Sequence, residues 1–239
     1  MRAARLTRPR RIEVREVLRP APGRGEALVR IRAVGVCRSD LHYWLHGRIG
    51  NQVIRRWPQT LGHEPAGVVE RVGPGARGVK PGDRVAVEPA VPCGRCAECR
   101  AGRGNVCGRV RFLGMPGQPG ALAEYLAYPA ANLVKIPRAV SDEEAAALEP
   151  LAIGLHAVWL LRGRSVARAA VVGAGPIGLC ILAALRLRGA RVTVCDLVPA
   201  RLAVARRMGA ARVIRVNAPR PMPEAARALG GPFDAVFEA

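Results

Sequence analysis

One stretch of this chain leaves little freedom in how it folds. Residues 169–188 read AAVVGAGPIGLCILAALRLR: a short β-branched run, three glycines at G-x-G-x-x-G spacing, then an apolar segment of helical composition. Gly173 permits a tight turn, Gly175 lets the backbone approach a pyrophosphate, and Gly178 lets helix and strand lie close together. An anion then sits at the helix N-terminus, where free N–H groups and the helix dipole favour it. A glycine-rich turn by itself is weak evidence, but here the next strand, VTVCD, closes on Asp196. That carboxylate is placed to accept hydrogen bonds from a ribose hydroxyl pair and to repel a 2′-phosphate, so NAD is favoured over NADP. Pro176 and Ile177 inside the motif, and Arg201 shortly after Asp196, complete the expected cofactor-binding set. LAVARRMG reads as the following helix, ARVIRV as a third strand and FDAVFEA as a fourth. Strand and helix alternating at this pitch define a parallel, doubly wound sheet.

The first 135 residues or so have a different texture, with short strands between Gly- and Pro-rich turns. EALVRIRAVGV (26–36), AGVVERVGPGA (66–76) and KPGDRVAVEP (80–89) predict a small barrel-like β domain. SDEE at 141–144 matches a capping box, and the alanines behind it favour helix. Pro150 is expected to interrupt that helix, because the residue before a proline is biased away from helical geometry. A second helix is expected over 151–161, leading to the basic turn RGRS; the domains expected are therefore 1–162 and 163–239.

The chain has seven cysteines, an odd count, and four of them lie in PCGRCAECRAGRGNVC. No export signal is evident, which argues for metal or catalysis before disulfides. Cys93, Cys96, Cys99 and Cys107, spaced C-x2-C-x2-C-x7-C, let a short loop wrap four thiolates around one ion. Four sulfurs with no open position suit a structural zinc; an iron–sulfur cluster is the alternative, since paired C-x2-C steps also occur in ferredoxin runs. Cys37 ends one apolar stretch (VGVC), while His63 and Glu64 precede another (TLGHEPAGVV). Singly, such a cysteine is most often a small buried hydrophobe. Together with Glu149 they form a Cys/His/Glu set of the type that holds catalytic zinc with one position open, although spacing alone does not bring them together.

The net charge of +20 raises the question of nucleic acid. Only Lys80 and Lys135 are lysines, every other one of the 38 basic residues is arginine, and they run along the whole chain with few aromatics among them. That distribution argues against nucleic acid as a partner; a basic zinc protein contacting nucleic acid is the least favoured reading. No apolar run reaches a membrane-spanning length, and the basic N-terminus has no apolar segment behind it, so a cytoplasmic protein with no membrane partner is expected.

As an ordered set, VCRSDLHYWLHGRIG, LGHEPAGVVERVG, VKPGDRVAVEP, the four-cysteine loop, ALEPLAIGLHA and VVGAGPIGL carry a resemblance across essentially the whole chain. The chain resembles the medium-chain, zinc-dependent alcohol dehydrogenases, and within them the sorbitol (polyol) dehydrogenase branch. The resemblance implies a GroES-like catalytic β-barrel domain followed by a Rossmann domain. It implies two zinc ions: a structural one on the four-cysteine loop and a catalytic one on Cys37 and His63. Glu64 is the further ligand, directly or through water, and Glu149 is the acidic residue beside that metal. By the same likeness Ser39 and His42 relay the substrate proton, and Tyr43 and Phe112 line the substrate pocket. The activity implied is NAD-linked oxidation of a secondary alcohol or a polyol such as sorbitol or xylitol, with a homo-oligomer as the usual assembly. Two residues depart from the branch: Met115 stands where it usually has a small hydroxyl residue, and Arg38 replaces the commoner glycine after the cysteine. The family's chains are longer, so the Rossmann sheet is expected to be partial, stopping in its fourth strand. A non-catalytic zinc- and nucleotide-binding fragment is the corresponding alternative.

Overall fold

The computed structural model describes residues 1–217, 228–229 and 232–239. They divide into two compact units, Met1–Glu149 and Pro150–Ala239.

The first unit is built on a five-stranded antiparallel sheet, in the order Tyr125–Pro129, Glu26–Gly35, Glu64–Val72, Arg84–Val87, Leu133–Lys135. Its two central strands come from the predicted runs EALVRIRAVGV and AGVVERVG. Ala27, Leu28 and Val29 are all buried, and Ala27 and Val29 pack with Val69, Val85 and Leu126 into the main core of this unit. The pairing of these strands carries Gly35 opposite Glu64 at its end. A β-carbon at residue 35 would overlap the Glu64 carboxyl group, so glycine there makes room for that side chain. A smaller sheet pairs Arg2–Arg8 with both Arg11–Glu16 and Gln59–Thr60.

Two helical expectations meet different outcomes. Ser141 does cap the Asp142–Ala146 helix: its Oγ accepts from Glu144 N at 3.1 Å, and Glu144 Oε2 accepts from Ser141 N at 2.8 Å. Pro150, by contrast, does not interrupt a helix but lies near the start of one, running Leu148–Trp159. The first turn of a helix lacks intrahelical N–H bonds anyway, so a proline there forfeits nothing. That helix lies mostly in the second unit, where Gly154 packs so tightly on Cys180 and Ile181 that a β-carbon would stand 2.6 Å from Cys180 Cβ. The two compact units meet in sequence at Glu149/Pro150, within the first turn of this helix.

The second unit holds a four-stranded parallel sheet in the order Arg212–Arg215, Arg191–Asp196, Arg168–Val172, Ala235–Glu238. This is the doubly wound order 3-2-1-4 expected of the first strands of a Rossmann sheet. The Pro176–Leu187 helix buries Gly178, Ile181, Leu182 and Leu185, a spacing that lines one helical face against Val171, Val192 and Val194. Full burial of each leucine contributes about 1.5–3 kcal/mol. Among the described residues no helix is long and apolar enough to cross a membrane.

Candidate functional site

The Arg38–His46 helix begins at Cys37, and the TLGHE turn meets it from the end of the neighbouring strand pair. One ligand atom from each of Cys37, His63 and Glu64 lies within 4.8 Å of the others. His63 and Glu64 are buried and Cys37 is partly so. A fourth side chain, Asp40, holds this cluster from behind. Its carboxylate accepts from Cys37 N at 3.1 Å and from Gly62 N at 3.2 Å, and its Oδ1 lies 3.7 Å from His63 Nδ1. The carboxylate thus faces the Nδ1 side of the ring, the kind of outer support a metal-bound histidine has when Nε2 is its ligand atom. Asp40 was not singled out in the sequence. Its signal is present in CRSD, an acidic residue three places after a helix cap, but only the fold shows that it also reaches the Gly62 turn.

The electrostatics of the metal-free cluster follow from this packing. Burial pushes the His63 imidazole down, yet the Asp40 carboxylate and the Cys37 sulfur more than offset it and hold the pKa up at about 10. Interaction with His63 lowers the Cys37 thiol, against burial and with help from Ser39. Glu64 is raised by burial, opposed by the His63 charge. A cation seated among them would replace the proton shared by this set, and one thiolate, one imidazole and one carboxylate are a donor set that suits zinc.

The remaining predicted residues are distributed around the cluster. Ser39 interacts with the Cys37 sulfur. The Phe112 ring lies 5.5 Å from the His63 ring, tilted by 58°. Glu149 does not join the converging ligand atoms, but it is half-buried near enough for the His63 charge to lower and the Glu64 charge to raise its pKa, with burial the larger, upward effect. His42 lies one helical turn from His46, ring centroids 6.0 Å apart, outside the converging set. Tyr43 is buried in an apolar cluster with Leu6, Ile54 and Leu61, its hydroxyl 3.4 Å from Gln52 Oε1.

The cysteine loop closes on itself. Cys93, Cys96, Cys99 and Cys107 bring their sulfurs together, with separations of 3.4, 3.8 and 3.9 Å for three of the pairs. A tetrahedron with Zn–S bonds of about 2.3 Å has edges of about 3.8 Å, so the loop fits a four-coordinate ion. Backbone N–H groups of Cys93 and Arg109 point at Cys107 Sγ, and that of Cys99 at Cys96 Sγ, each at 3.4 Å. Such bonds stabilise thiolate: the Arg95 backbone N–H draws the Cys93 pKa down to about 6, while neighbouring Cys96 pushes Cys99 up.

In the second unit the three glycines of the loop have distinct reasons. A β-carbon on Gly178 would overlap the Gly173 carbonyl, and Gly173 itself has φ of +106° beside Ala239. Gly175 has an ordinary φ of −72°, and a β-carbon there meets no atom within 4 Å. The protein itself therefore needs the first and third glycines, while the second leaves open space in front of the helix that Pro176 begins and Ile177 continues. Asp196 Oδ2 accepts from Ala174 N at 2.7 Å and Oδ1 from Val198 N at 2.7 Å, with an Arg201 guanidinium nitrogen 3.9 Å away. The strand-end carboxylate thus ties the glycine loop to the start of the next helix. This arrangement, a cradle in front of a helix N-terminus with an acid at its edge, fits a dinucleotide.

Residues 23–138 match the model of the alcohol dehydrogenase GroES-like domain, and residues 176–239 match that of the zinc-binding dehydrogenases. A sorbitol dehydrogenase of Bacillus subtilis (strain 168) is 42% identical over 218 residues, covering 91% of this chain and 62% of that protein. Among solved structures, an Escherichia coli oxidoreductase/dehydrogenase of unknown specificity superposes with a TM-score of 0.88 at 35% identity, over 100% of this chain and 70% of that one. An alcohol dehydrogenase from E. coli CFT073, complexed with NADH, does so with a TM-score of 0.88 at 33% identity, over 100% and 69%. The chain belongs to the zinc-binding alcohol dehydrogenase family. It spans about three-fifths of the length of the curated relatives it matches.

Proposed function

We propose that this chain carries the metal- and dinucleotide-binding machinery for NAD-linked oxidation of a secondary alcohol or polyol to the ketone. The observation that carries the reading is the convergence of Cys37, His63 and Glu64 within 4.8 Å, with Asp40 set behind the imidazole. When bound, zinc supplies the Lewis acidity that lets an alcohol lose its proton near neutral pH, and the dinucleotide supplies the hydride acceptor.

The residues have separate tasks in this proposal. Cys37 and His63 hold the metal, Glu64 completes or exchanges at the third position, and Glu149 adds negative charge at its edge. Asp40 keeps His63 in the tautomer that presents Nε2. Ser39 takes the substrate proton and His42 passes it toward solvent. Phe112 walls the substrate on the His63 side, and Tyr43 shapes that region from within its apolar cluster. Cys93, Cys96, Cys99 and Cys107 hold a second, structural zinc that keeps their loop folded. Gly173, Gly175 and Gly178 with Pro176 and Ile177 receive the pyrophosphate, while Asp196 and Arg201 address the adenosine ribose. The polyol class rests on the likeness to sorbitol dehydrogenase, and Asp196 supports NAD over NADP.

The test is zinc-dependent formation of reduced dinucleotide from sorbitol, xylitol or a simple secondary alcohol, abolished by Cys37→Ala. A zinc-loaded chain that binds NAD yet oxidises none of them would overturn the catalytic reading.

A further inference from the structure

Immediately before the metal-ligating turn lies a polar side chain with no obvious business in a core. Gln59 is only 6% exposed, and it stands in the short strand that pairs with Leu6. Burying a primary amide is unfavourable unless its donors and acceptor are all met. Here they are met almost wholly by one loop. Gln59 Nε2 donates to Gln118 O at 2.7 Å and lies 3.3 Å from Met115 O, with Thr60 O at 2.9 Å, while Oε1 accepts from Gly117 N at 3.2 Å.

That loop, residues 112–122, lies directly along the turn that delivers His63. Ala121 N donates to Gly62 O at 2.9 Å and Leu122 N to Leu61 O at 3.0 Å. The approach is close enough that glycine is required on the loop side. A β-carbon on Gly114 would stand 2.9 Å from Gly62 O, and one on Gly120 would overlap the carbonyls of Thr60 and Leu61. The loop begins at Phe112, whose ring lies 5.5 Å from that of His63, and Met115 N donates back to Phe112 O at 3.2 Å. One side chain therefore fixes the turn Met115–Pro116–Gly117–Gln118 to the strand that leads into the metal ligands.

We propose that Gln59 is a positioning residue: by clasping the 115–118 turn it holds Phe112 against the His63 ring and so sets the wall of the substrate site. This rests on the reading of Cys37 and His63 as a metal centre, but its geometry is independent of whether metal is bound. The hydrogen bonds at both ends of the loop locate its backbone coarsely. Gln59 supplies the only described side-chain bonds to its tip, so its loss frees the tip without dismantling the sheet.

The test uses the whole chain, with Gln59→Met, which keeps the length and removes the amide, and Gln59→Glu, which keeps an acceptor for Gly117 N and removes both donors. Phe112→Leu supplies the reference. The chain has only 4 histidines, so the His63 ring protons can be assigned and followed by NMR. A ring-current shift from Phe112 reports the distance between the two rings, which loss of general stability would not move. In both Gln59 variants the His63 ring protons are expected to shift toward their Phe112→Leu positions, and in Gln59→Met, where Gly117 N loses its acceptor, amide exchange at Gly117 is expected to quicken at least tenfold. Exchange in the Glu26–Gly35 strand should stay unchanged. If Gln59→Met fails to fold, Gln59→Glu carries the same comparison. His63 resonances that stay at their wild-type positions in the folded variants, while Phe112→Leu moves them, would overturn the proposal. Failure of the wild-type chain to take up zinc at Cys37 would instead overturn the metal reading and leave this comparison intact.

Discussion

Replacing Asp40 by asparagine probes the cluster where its parts depend on one another most. Asp40 is 5% exposed, accepts from Cys37 N and Gly62 N, and lies 3.7 Å from His63 Nδ1. Asparagine fits the same volume but offers one acceptor oxygen and a donor NH2, so one of the two backbone N–H groups then faces another donor. A buried donor left without a partner costs about 1–3 kcal/mol. Loss of the carboxylate that orients a metal-bound histidine typically lowers metal affinity by about 10–100-fold, or roughly 1.4–2.8 kcal/mol. Asp40→Asn should therefore lower unfolding free energy by about 1–3 kcal/mol in urea. It should also weaken zinc at the Cys37 site by about 10–100-fold in competition with a chromophoric chelator, with the four-cysteine site unchanged as an internal control. Zinc affinity at the Cys37 site within about twofold of wild type would refute the role given to Asp40.

Other outcomes follow from the same geometry. In the metal-free protein the His63 pKa is raised to about 10, so its contribution to stability is complete below about 6.5 and is lost as the pH rises through about 10; urea titrations across that window should show a decline that His63→Gln removes. Gly175→Ala should leave the melting temperature unchanged or slightly raised while weakening NAD binding about tenfold or more by calorimetry, because its β-carbon projects only into open space. Gly178→Ala should instead destabilise the unit, since its β-carbon would overlap the Gly173 carbonyl. Asp142, whose pKa is lowered chiefly by the Arg84 guanidinium 2.7 Å away, contributes stability that is present above about pH 4 and lost as the pH falls through its folded pKa. Asp142→Asn should thus cost about 0.5–1 kcal/mol at pH 7 and nothing measurable in acid.

What the sequence disclosed tracks how local each feature is. The glycine loop, its flanking strands and Asp196 lie within one strand–helix–strand unit, and pattern alone placed them in register. The four cysteines likewise belong to one loop, whose closure needs no long-range information. Cys37 and His63 meet only because Glu26–Gly35 and Glu64–Val72 pair with Gly35 opposite Glu64, a register that periodicity cannot specify. Asp40 and Gln59 escaped notice for the same reason, since their partners are backbone groups 22 and 56 to 59 residues away. Pro150 misled because a proline signals either the end of one helix or the first turn of the next, and packing on the Pro176–Leu187 helix decides between them.

Metal content measured on the purified chain and on two variants tests the central claim most directly. The account predicts two zinc ions per chain by mass spectrometry, with Cys37→Ala and Cys96→Ser each removing one and both together removing both. A wild-type chain holding a single ion that only Cys96→Ser removes would contradict it, leaving the Cys37–His63–Glu64 cluster a packing arrangement rather than a metal centre.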